Sequence, residues 1–386
     1  MTYDFDRIID RRHTAAYKWD IGENELPMWV ADMDFATAPE ILDAIKNRVE
    51  NGVFGYSYLP DEWYDAYIGW WDRRHGIKYE KEDLVFATGV VPILSSCVRK
   101  LTTENENVVL MTPVYNCFFS SVVNSGRRVL EAPLRFDGDG GCFIDFGKLE
   151  NALADPQTSL LFLCNPHNPT GRIWTEEELS EVGRLCLKHG VTVISDEIHC
   201  DLTDPGKEYV PFLRAAPECA GMTVTCLAPT KTFNIAGLQT ACAAVRGKRL
   251  RHRVWRALNT DEVGEPNAFA VAATVAAFTR GEKWLDELRR YIYENKLLAE
   301  NFIAERLPEL KIFHPEATYL MWIDMSALGT EKPAEFIRGK TGLVLSEGTT
   351  YGADAGKYHV RMNVACPRSA VLDGLERLEK AVRGVI

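Results

Sequence analysis

Three residues of different chemistry follow short apolar stretches in the middle of the chain. They are Asn168 after residues 159–164, Asp196 after residues 191–195 and Lys231 after residues 222–227. The carboxyl ends of parallel strands meet at one edge of an open sheet, where ligands bind. If the three stretches are neighbouring parallel strands, an amide, a carboxylate and a primary amine lie together at that edge.

These three groups have a joint use in the chemistry of pyridoxal 5′-phosphate (PLP). A lysine amine forms a Schiff base with an aldehyde cofactor, a carboxylate keeps a pyridine nitrogen protonated, and an amide hydrogen-bonds a phenolate oxygen. Each residue alone has an ordinary alternative. Lys231 could be a solvated charge, Asp196 a helix cap and Asn168 a turn residue. Their joint placement on successive strands favours a PLP site.

The elements around these residues predict an α/β fold with a mostly parallel sheet. Six short stretches, most of them apolar on both faces, are the predicted strands: 108–112, 129–134, 159–164, 191–195, 222–227 and 241–245. After the third of these, Thr175 and Glu178 form a Thr-x-x-Glu capping box and Gly190 marks the end of the helix. The strand–helix–strand order predicts a right-handed crossover between parallel strands.

The last third of the chain predicts a smaller α+β domain. The amphipathic pattern of residues 284–302 predicts a long helix that ends before Pro308. Strands are predicted over 317–323, 342–344 and 358–363, and a closing helix follows over about 369–382. We therefore expect two domains: a large one over residues 46–283, and a small one built from residues 1–45 and 284–386.

Composition argues against several classes of protein. The 386 residues carry 44 basic and 55 acidic side chains, a net charge of −11, which disfavours non-specific binding to nucleic acid or anionic membranes. No apolar run reaches the roughly 18–20 residues of a transmembrane helix, and the first residues lack a signal-peptide pattern. The ten cysteines include no Cys-x-x-Cys pair, so we expect free thiols, no metal site and a cytoplasmic location.

Seven longer runs carry a resemblance to known enzymes. They are residues 26–35 (LPMWVADMDF), 55–57 (GYS), 112–115 (TPVY), 165–171 (NPHNPTG), 195–201 (SDEIHCD), 230–238 (TKTFNIAGL) and 361–365 (RMNVA). With these runs the chain resembles the class I/II aminotransferase superfamily of fold-type I PLP-dependent enzymes. Within it, the chain resembles the MalY/PatB-type cystathionine β-lyases, also called C–S lyases.

The resemblance implies roles for the residues around the cofactor ring. Lys231 is the Schiff-base lysine and moves the Cα proton, Asp196 pairs with the pyridine nitrogen, and Asn168 bonds the phenolic oxygen. Tyr115 stacks on the ring, although a core position would explain it equally well. His199 stands where many aminotransferases place a tyrosine on the phenolic oxygen, and it is either a tuning group or a structural histidine.

The resemblance also implies how the cofactor phosphate is held. The backbone at Gly89, Val90 and Val91 opens a helix, and helix N-termini favour anions; alternatively, Gly89 only permits a tight turn. Thr230 adds a hydroxyl, and Tyr56 reaches the phosphate of the partner subunit, which implies a homodimer with active sites at the subunit interface. Many aminotransferases have an arginine eight positions after the lysine, where this chain has Gln239.

The family resemblance also implies that one arginine binds the carboxylate of an amino-acid substrate. The resemblance assigns this role to Arg361, because a guanidinium binds a carboxylate with two parallel hydrogen bonds. Arg368, seven residues later, is the competing candidate, and an ordinary surface ion pair would also explain Arg361.

The resemblance implies PLP-dependent β-elimination on S-substituted cysteines, such as cystathionine and other cysteine S-conjugates. The products would be a thiol, pyruvate and ammonia. A class I/II aminotransferase would need the same residues around the cofactor, and it is the main alternative. Binding of a transcription regulator is a further, minor alternative, for which no surface can be identified in the sequence.

Overall fold

The computed structural model describes residues 2–137 and 140–384. Their strands are β1 (Leu26–Pro27), β2 (Leu84–Ala87), β3 (Asn107–Leu110), β4 (Arg128–Glu131), β5 (Arg135–Phe136), β6 (Cys142–Phe143), β7 (Thr158–Cys164), β8 (Thr192–Asp196), β9 (Thr223–Leu227), β10 (Ala241–Ala244), β11 (Lys311–Phe313), β12 (Leu320–Asp324), β13 (Leu343–Val344), β14 (Ser346–Glu347) and β15 (His359–Asn363).

Their helices are α1 (Pro39–Glu50), α2 (Asp61–His75), α3 (Val90–Leu101), α4 (Asn116–Val123), α5 (Phe146–Leu153), α6 (Glu176–His189), α7 (Phe212–Ala215), α8 (Lys248–Thr260), α9 (Ala270–Arg280), α10 (Glu282–Arg306), α11 (Pro333–Thr341) and α12 (Arg368–Arg383). None of the helices in these described parts of the chain is long and apolar enough to cross a lipid bilayer.

The centre of the fold is a seven-stranded sheet in the order β2-β10-β9-β8-β7-β3-β4. Strands β9, β8, β7, β3 and β4 run parallel to one another, whereas β10 runs antiparallel to both of its neighbours. The predicted α/β fold class with a mostly parallel sheet is therefore confirmed. The six predicted strands are all present in this sheet, each with one or both ends shifted by one to three residues. The seventh strand of the sheet, β2, was not predicted.

The central strands have apolar residues on both faces because their side chains alternate between two apolar cores. In β7, Leu161 and Leu163 join one core cluster, and Leu160 and Phe162 join the cluster on the opposite face of the sheet. Side chains alternate between the faces of a strand, and helices cover both faces of a parallel sheet. Each face of the sheet therefore has its own apolar core.

Helix α6 confirms the predicted capping box. Thr175 Oγ1 accepts a hydrogen bond from the backbone N–H of Glu178 at 3.1 Å, and the Glu178 carboxylate accepts one from the N–H of Thr175 at 2.8 Å. Gly190 ends the helix with φ +70°, a conformation that glycine adopts without steric cost. Such a cap contributes about 1 kcal/mol to stability, and it fixes the crossover between β7 and β8.

The last third of the chain forms a second, four-stranded antiparallel sheet in the order β11-β12-β15-β14. The predicted long helix is present as α10, and the closing helix as α12. Strand β12 begins at Leu320 rather than at the predicted position 317, because Thr318 has a left-handed backbone with φ 68° that interrupts an extended strand. The bounds of the two predicted domains stay a prediction.

The N-terminal segment packs against this second sheet. Strand β1 pairs in parallel with β13, and Met28 belongs to the apolar cluster formed by α10, α11, α12 and the second sheet. The same segment continues to the carboxyl edge of the central sheet. Residues near 31 can therefore contribute to a site at that edge.

Candidate active site

The three residues singled out by their chemistry come together at the carboxyl edge of the central sheet. Asp196 ends β8, Asn168 follows β7 and Lys231 follows β9, and these three strands are neighbours in the sheet. All three residues line one cavity of about 230 Å³. In the structure, an amide, a carboxylate and an amine therefore meet at this edge of the sheet, as predicted.

Most of the other predicted site residues line the same cavity. They are Tyr115, His199, Thr230, Gly89, Val90 and Val91. Two of the predicted residues do not line it within this chain. Tyr56 is fully exposed, and Arg361 reaches the cavity through a hydrogen bond to one of its lining residues.

Lys231 is held at the floor of the cavity by a backbone carbonyl. Its Nζ donates a hydrogen bond to the carbonyl oxygen of Ala31 at 2.5 Å, and the same oxygen accepts one from the hydroxyl of Tyr319 at 2.9 Å. Burial, followed by the positive charge of Arg361, lowers the pKa of Lys231 to about 8. A much larger fraction of this amine is therefore unprotonated near neutral pH than of an ordinary lysine.

Asp196 is a buried carboxyl group with one protein hydrogen bond. The backbone N–H of Ile198 donates to its Oδ1 at 3.2 Å, and no donor to Oδ2 is found among the described residues. Burial raises the pKa of Asp196 to about 7, against the opposing effects of the Ile198 N–H and of Lys231. A buried carboxylate requires a cation or donors, and a protonated ring nitrogen would satisfy that requirement.

Asn168 and Arg361 form a pair beside the cavity. Arg361 Nη1 donates to Asn168 Oδ1 at 3.0 Å and Nη2 donates to the carbonyl of Trp29 at 2.8 Å. This bond fixes the amide so that the Nδ2 donor of Asn168, which has no acceptor among the described residues, remains for a ligand. The Nε of the buried Arg361 is also without a partner in the described parts of the chain.

The competing arginine lies elsewhere. The Arg368 guanidinium forms an ion pair with Glu294 at 2.7 Å, its side chain is 42% exposed, and it does not line the cavity. Of the two arginines, Arg361 is thus the one beside Asn168 and Lys231. Its role in binding a substrate stays a prediction.

The N-terminus of α3, which follows strand β2 of the central sheet, also lines the cavity. Gly89 precedes the helix, Val90 and Val91 are its first two residues, and the first intrahelical bond runs from Ile93 N–H to the Gly89 carbonyl. The N–H groups of a first helical turn have no partner within the helix, and they attract anions. A Cβ atom at Gly89 would approach Pro92 Cδ to 3.2 Å, so the close turn leaves little room for a side chain.

Three further residues complete the description of the site. His199 is buried, its Nδ1 has no partner among the described residues, and burial lowers its pKa to about 3, which keeps the ring neutral. Burial raises the pKa of Tyr115 well above its ordinary value, so its phenol stays protonated. Gln239 is exposed and does not line the cavity.

Two residues of the site were missed by reasoning from the sequence. Ala31 contributes a backbone carbonyl, which every residue type possesses, so its identity carries no signal. Tyr319 is fully buried and reaches Ala31 only because the second sheet packs beside the N-terminal segment. Only the tertiary structure brings these two residues to the lysine.

The residues of the cavity fit PLP. Within the described parts of the chain, no donor bonds to Asp196 Oδ2 and the buried His199 Nδ1 has no partner, and the first N–H groups of α3, at Val90 and Val91, are available to an anion. A lysine with a lowered pKa lies in the same cavity. A planar pyridine with an aldehyde and a phosphate group would meet each of these requirements.

Comparisons with known proteins agree with this geometry. Residues 23–378 match the family described as aminotransferase class I and II. The cystathionine β-lyase PatB of Bacillus subtilis is 42% identical over 98% of this chain and 100% of its own length. The protein MalY of Escherichia coli is 34% identical over 99% of this chain and 100% of its own length.

A solved structure gives the same result for the fold. Cystalysin from Treponema denticola, whose crystal structure contains pyridoxal 5′-phosphate, superposes with a TM-score of 0.95 at 33% identity and covers 100% of both chains. The match therefore includes both sheets and the N-terminal segment. This chain belongs to the class I and II aminotransferase family, and its similarity extends over its full length to the PatB/MalY-type cystathionine β-lyases.

Proposed function

We propose that this chain is a PLP-dependent carbon–sulfur β-lyase that acts on S-substituted cysteines, with cystathionine as a representative substrate. The observation that carries the proposal is the cavity in which Lys231, with its pKa lowered to about 8, lies with Asp196 and Asn168 from two adjacent strands. The printed name of the similar protein PatB, a cystathionine β-lyase, supports a lyase over other PLP enzymes.

Each end of the cavity would hold one part of PLP. Asp196 would bind the ring nitrogen, the Nδ2 group of Asn168 the phenolic oxygen, and Tyr115 would lie against the ring. The N–H groups of Val90 and Val91 would bind the phosphate. When bound, PLP supplies an electron sink that stabilises negative charge at the substrate Cα.

The chain's own residues would bind the substrate and move its proton. Arg361 would bind the α-carboxylate through Nε, which has no partner among the described residues, and through the second hydrogen of a neighbouring Nη, while its bonds to Asn168 and Trp29 hold the guanidinium in place. Lys231 would take the proton from Cα on Nζ, for which an amine with a pKa of about 8 is suited near neutral pH. The sulfur then leaves Cβ as a thiolate, and water converts the remaining fragment to pyruvate and ammonia.

The proposal includes a homodimer that shares its active sites. Residues 51–58 lie on the surface without regular structure beyond position 51, and Val53, Phe54, Tyr56 and Tyr58 expose 54–102% of their area. A contiguous exposed apolar surface of this kind is typical of a protein interface. A partner subunit covering it would receive Tyr56 near its own cavity.

The state of the cysteines supports a cytoplasmic location as part of the proposal. All ten are free thiols, and nine of them are buried, as is usual for proteins of a reducing compartment.

An aminotransferase is the second candidate function, because the matched family is that of the class I and II aminotransferases. Both reactions begin with removal of the same proton by Lys231.

The amino-group acceptor distinguishes the two functions. The purified protein, loaded with PLP, is incubated with cystathionine in the absence of any 2-oxo acid, and thiol and pyruvate are measured. A lyase releases both in equal amounts, and Lys231→Ala releases neither. Turnover that requires a 2-oxo acid and yields no thiol would identify an aminotransferase instead.

A further inference from the structure

A buried polar cluster outside the cavity contains the residue that follows Lys231 in the sequence. Thr232 Oγ1 donates a hydrogen bond to Oδ2 of Asp201 at 3.0 Å. Oδ1 of the same carboxylate accepts bonds from His75 Nε2 at 2.9 Å and Trp70 Nε1 at 3.1 Å. All four side chains are buried. None of these four residues has a role in the proposed reaction.

The turn that carries Lys231 is anchored at two points. Asn234, in a left-handed conformation with φ 54°, accepts a bond from Met33 N–H and donates to the carbonyls of Met33 and Phe35. The other anchor is the Asp201–Thr232 bond. Both anchors follow Lys231 within three positions, and Thr232, which bonds to the buried cluster, is the nearer of the two.

We infer that Asp201 is a positioning residue for Lys231, and that it acts through Thr232. The inference rests on the proposed function and deepens it, because it names the group that keeps the reacting amine in place. Asp201 touches neither the cavity nor Lys231 itself. Its effect passes through the peptide backbone between residues 231 and 232.

Positively charged and hydrogen-bonding neighbours of Asp201 strengthen its hydrogen bond with Thr232. Burial raises the pKa of Asp201, but the bond from His75 and the charge of Arg74, whose Nε lies 3.8 Å away, together keep it below the ordinary value. Of the other titratable groups nearby, Cys200 precedes it in the chain and Arg289 on α10 adds positive charge. The carboxylate is thus ionised, and hydrogen bonds to ionised acceptors are about twice as strong as neutral ones.

Loss of this anchor would affect the reaction more than the fold. A misplacement of about 1 Å in a reacting group can cost about 100-fold in rate. Because the Asn234 anchor remains, we expect a smaller effect: Thr232→Val lowers kcat about tenfold and leaves KM within about twofold. Thr232→Ser keeps the hydroxyl and restores most of the rate.

A second buried threonine provides the matched control. Thr274 on α9 makes a hydrogen bond of 3.0 Å to Thr240, and both residues are fully buried. Thr274→Val thus removes one buried threonine hydrogen bond, to a neutral hydroxyl, without touching the Lys231 turn. We expect both valine variants to lower the thermal unfolding midpoint, Thr232→Val by the larger amount because its bond is to an ionised group, and we expect Thr274→Val to keep kcat within about twofold of the parent.

A measurement on the cofactor-free protein separates positioning from turnover. PLP is added to the stripped protein, and the rate of its covalent linkage to Lys231 is followed by absorbance and by borohydride trapping with peptide mapping. We expect this rate to fall about tenfold in Thr232→Val and in Asp201→Asn, but not in Thr274→Val or Thr232→Ser.

The outcomes distinguish this inference from the proposed function. If the parent protein forms no linkage with PLP, the proposed function fails. If the parent forms the linkage and eliminates thiol, but Thr232→Val matches Thr274→Val in both rates, the positioning role of Asp201 is wrong. A slow linkage in Thr232→Val that Thr232→Ser does not restore would also contradict it.

Discussion

Nζ of Lys231 lies 2.5 Å from the carbonyl oxygen of Ala31, although 200 positions of sequence separate the two residues. The N-terminal segment that carries Ala31 is held by two side-chain amides. Asn363 Nδ2 donates to the carbonyls of Val30 and Asp32, each at 2.6 Å, and Asn234 bonds to Met33. The lysine of the central sheet is thereby linked to the N-terminal segment and, through Asn363, to the second sheet.

Removal of the Asn363 amide is expected to loosen this segment. Asn363→Ala removes the donor to the Val30 carbonyl and the acceptor of the Ala365 N–H, whereas the Asp32 carbonyl keeps its bond from Lys18 Nζ at 3.3 Å. Each unsatisfied group costs about 1–3 kcal/mol of stability. We also expect kcat/KM to fall about tenfold, because the Ala31 carbonyl no longer holds a fixed place beside Lys231. Thermal unfolding and steady-state elimination of cystathionine measure the two effects.

Asn295→Ala is the control for this variant. Asn295 is also fully buried and donates to two backbone carbonyls, those of Val364 and Cys366, which lie outside the N-terminal segment. We expect a similar loss of stability and a kcat/KM within about threefold of the parent. Equal losses of kcat/KM in both variants would mean that the segment has no special part in the reaction.

The two candidate arginines are expected to differ sharply when each is replaced by lysine. Arg361→Lys keeps a positive charge but loses the planar guanidinium that bonds to Asn168 and Trp29 and that would, in the proposed function, bind the substrate carboxylate. We expect KM for cystathionine to rise about 100-fold, or about 2.7 kcal/mol at 1.36 kcal/mol for each factor of ten. Arg368→Lys, at an exposed ion pair with Glu294, should leave KM within about twofold. The opposite ranking would assign the carboxylate to Arg368.

Much of this arrangement was predictable because it depends on residue types at strand ends. Strands β7, β8 and β9 have apolar residues on both faces, so their ends, and with them Asn168, Asp196 and Lys231, could be placed at one edge of a sheet before the structure was known. The capping box at Thr175 likewise fixed the start of α6. The resemblance to a known family added the identity of the cofactor and the choice of Arg361.

The remaining parts of the site depend on contacts that leave no local pattern. The Ala31 carbonyl belongs to the backbone, and Tyr319 reaches it only through the packing of the second sheet. Thr232 and Asp201 lie in two of the sequence runs that carry the family resemblance, but no local pattern indicates that they form a hydrogen bond. Strand β2 was missed because its four residues form a short apolar run without flanking periodicity.

Hybrid dimers test whether Tyr56 acts across the subunit interface. Lys231→Ala lacks the reacting amine, and Tyr56→Ala lacks the proposed phosphate contact, so each homodimer should be weakly active or inactive. In a mixed dimer, one site combines the intact Lys231 of one chain with the intact Tyr56 of the other. We expect mixing after dissociation to restore activity to about one quarter of the parent value for a statistical mixture. A monomer in sedimentation, or mixing without recovery, would contradict the shared site.

The lowered pKa of Lys231 predicts an unusual pH dependence for its reaction with PLP in the cofactor-free protein. Only the neutral amine reacts, and its fraction rises about tenfold from pH 7 to pH 9 for a pKa of about 8. For a lysine in a short peptide, with an ordinary pKa of about 10.4, the fraction rises about 100-fold over the same interval. The ratio of the two rates cancels the titration of PLP itself and should fall about tenfold between pH 7 and pH 9.

Removal of the positive charge of Arg361 is expected to raise the pKa of Lys231, and the direction of this shift can be measured. Burial is the larger cause of the lowered pKa and the positive charge of Arg361 is the next. Arg361→Gln removes that charge, so the ammonium form becomes less unfavourable and the pKa of Lys231 rises toward its ordinary value. The rate of linkage at pH 7 should then fall, and its plateau should move to higher pH. An unchanged profile would mean that the guanidinium does not act on the amine, and a downward-shifted profile would mean that it acts with the opposite sign.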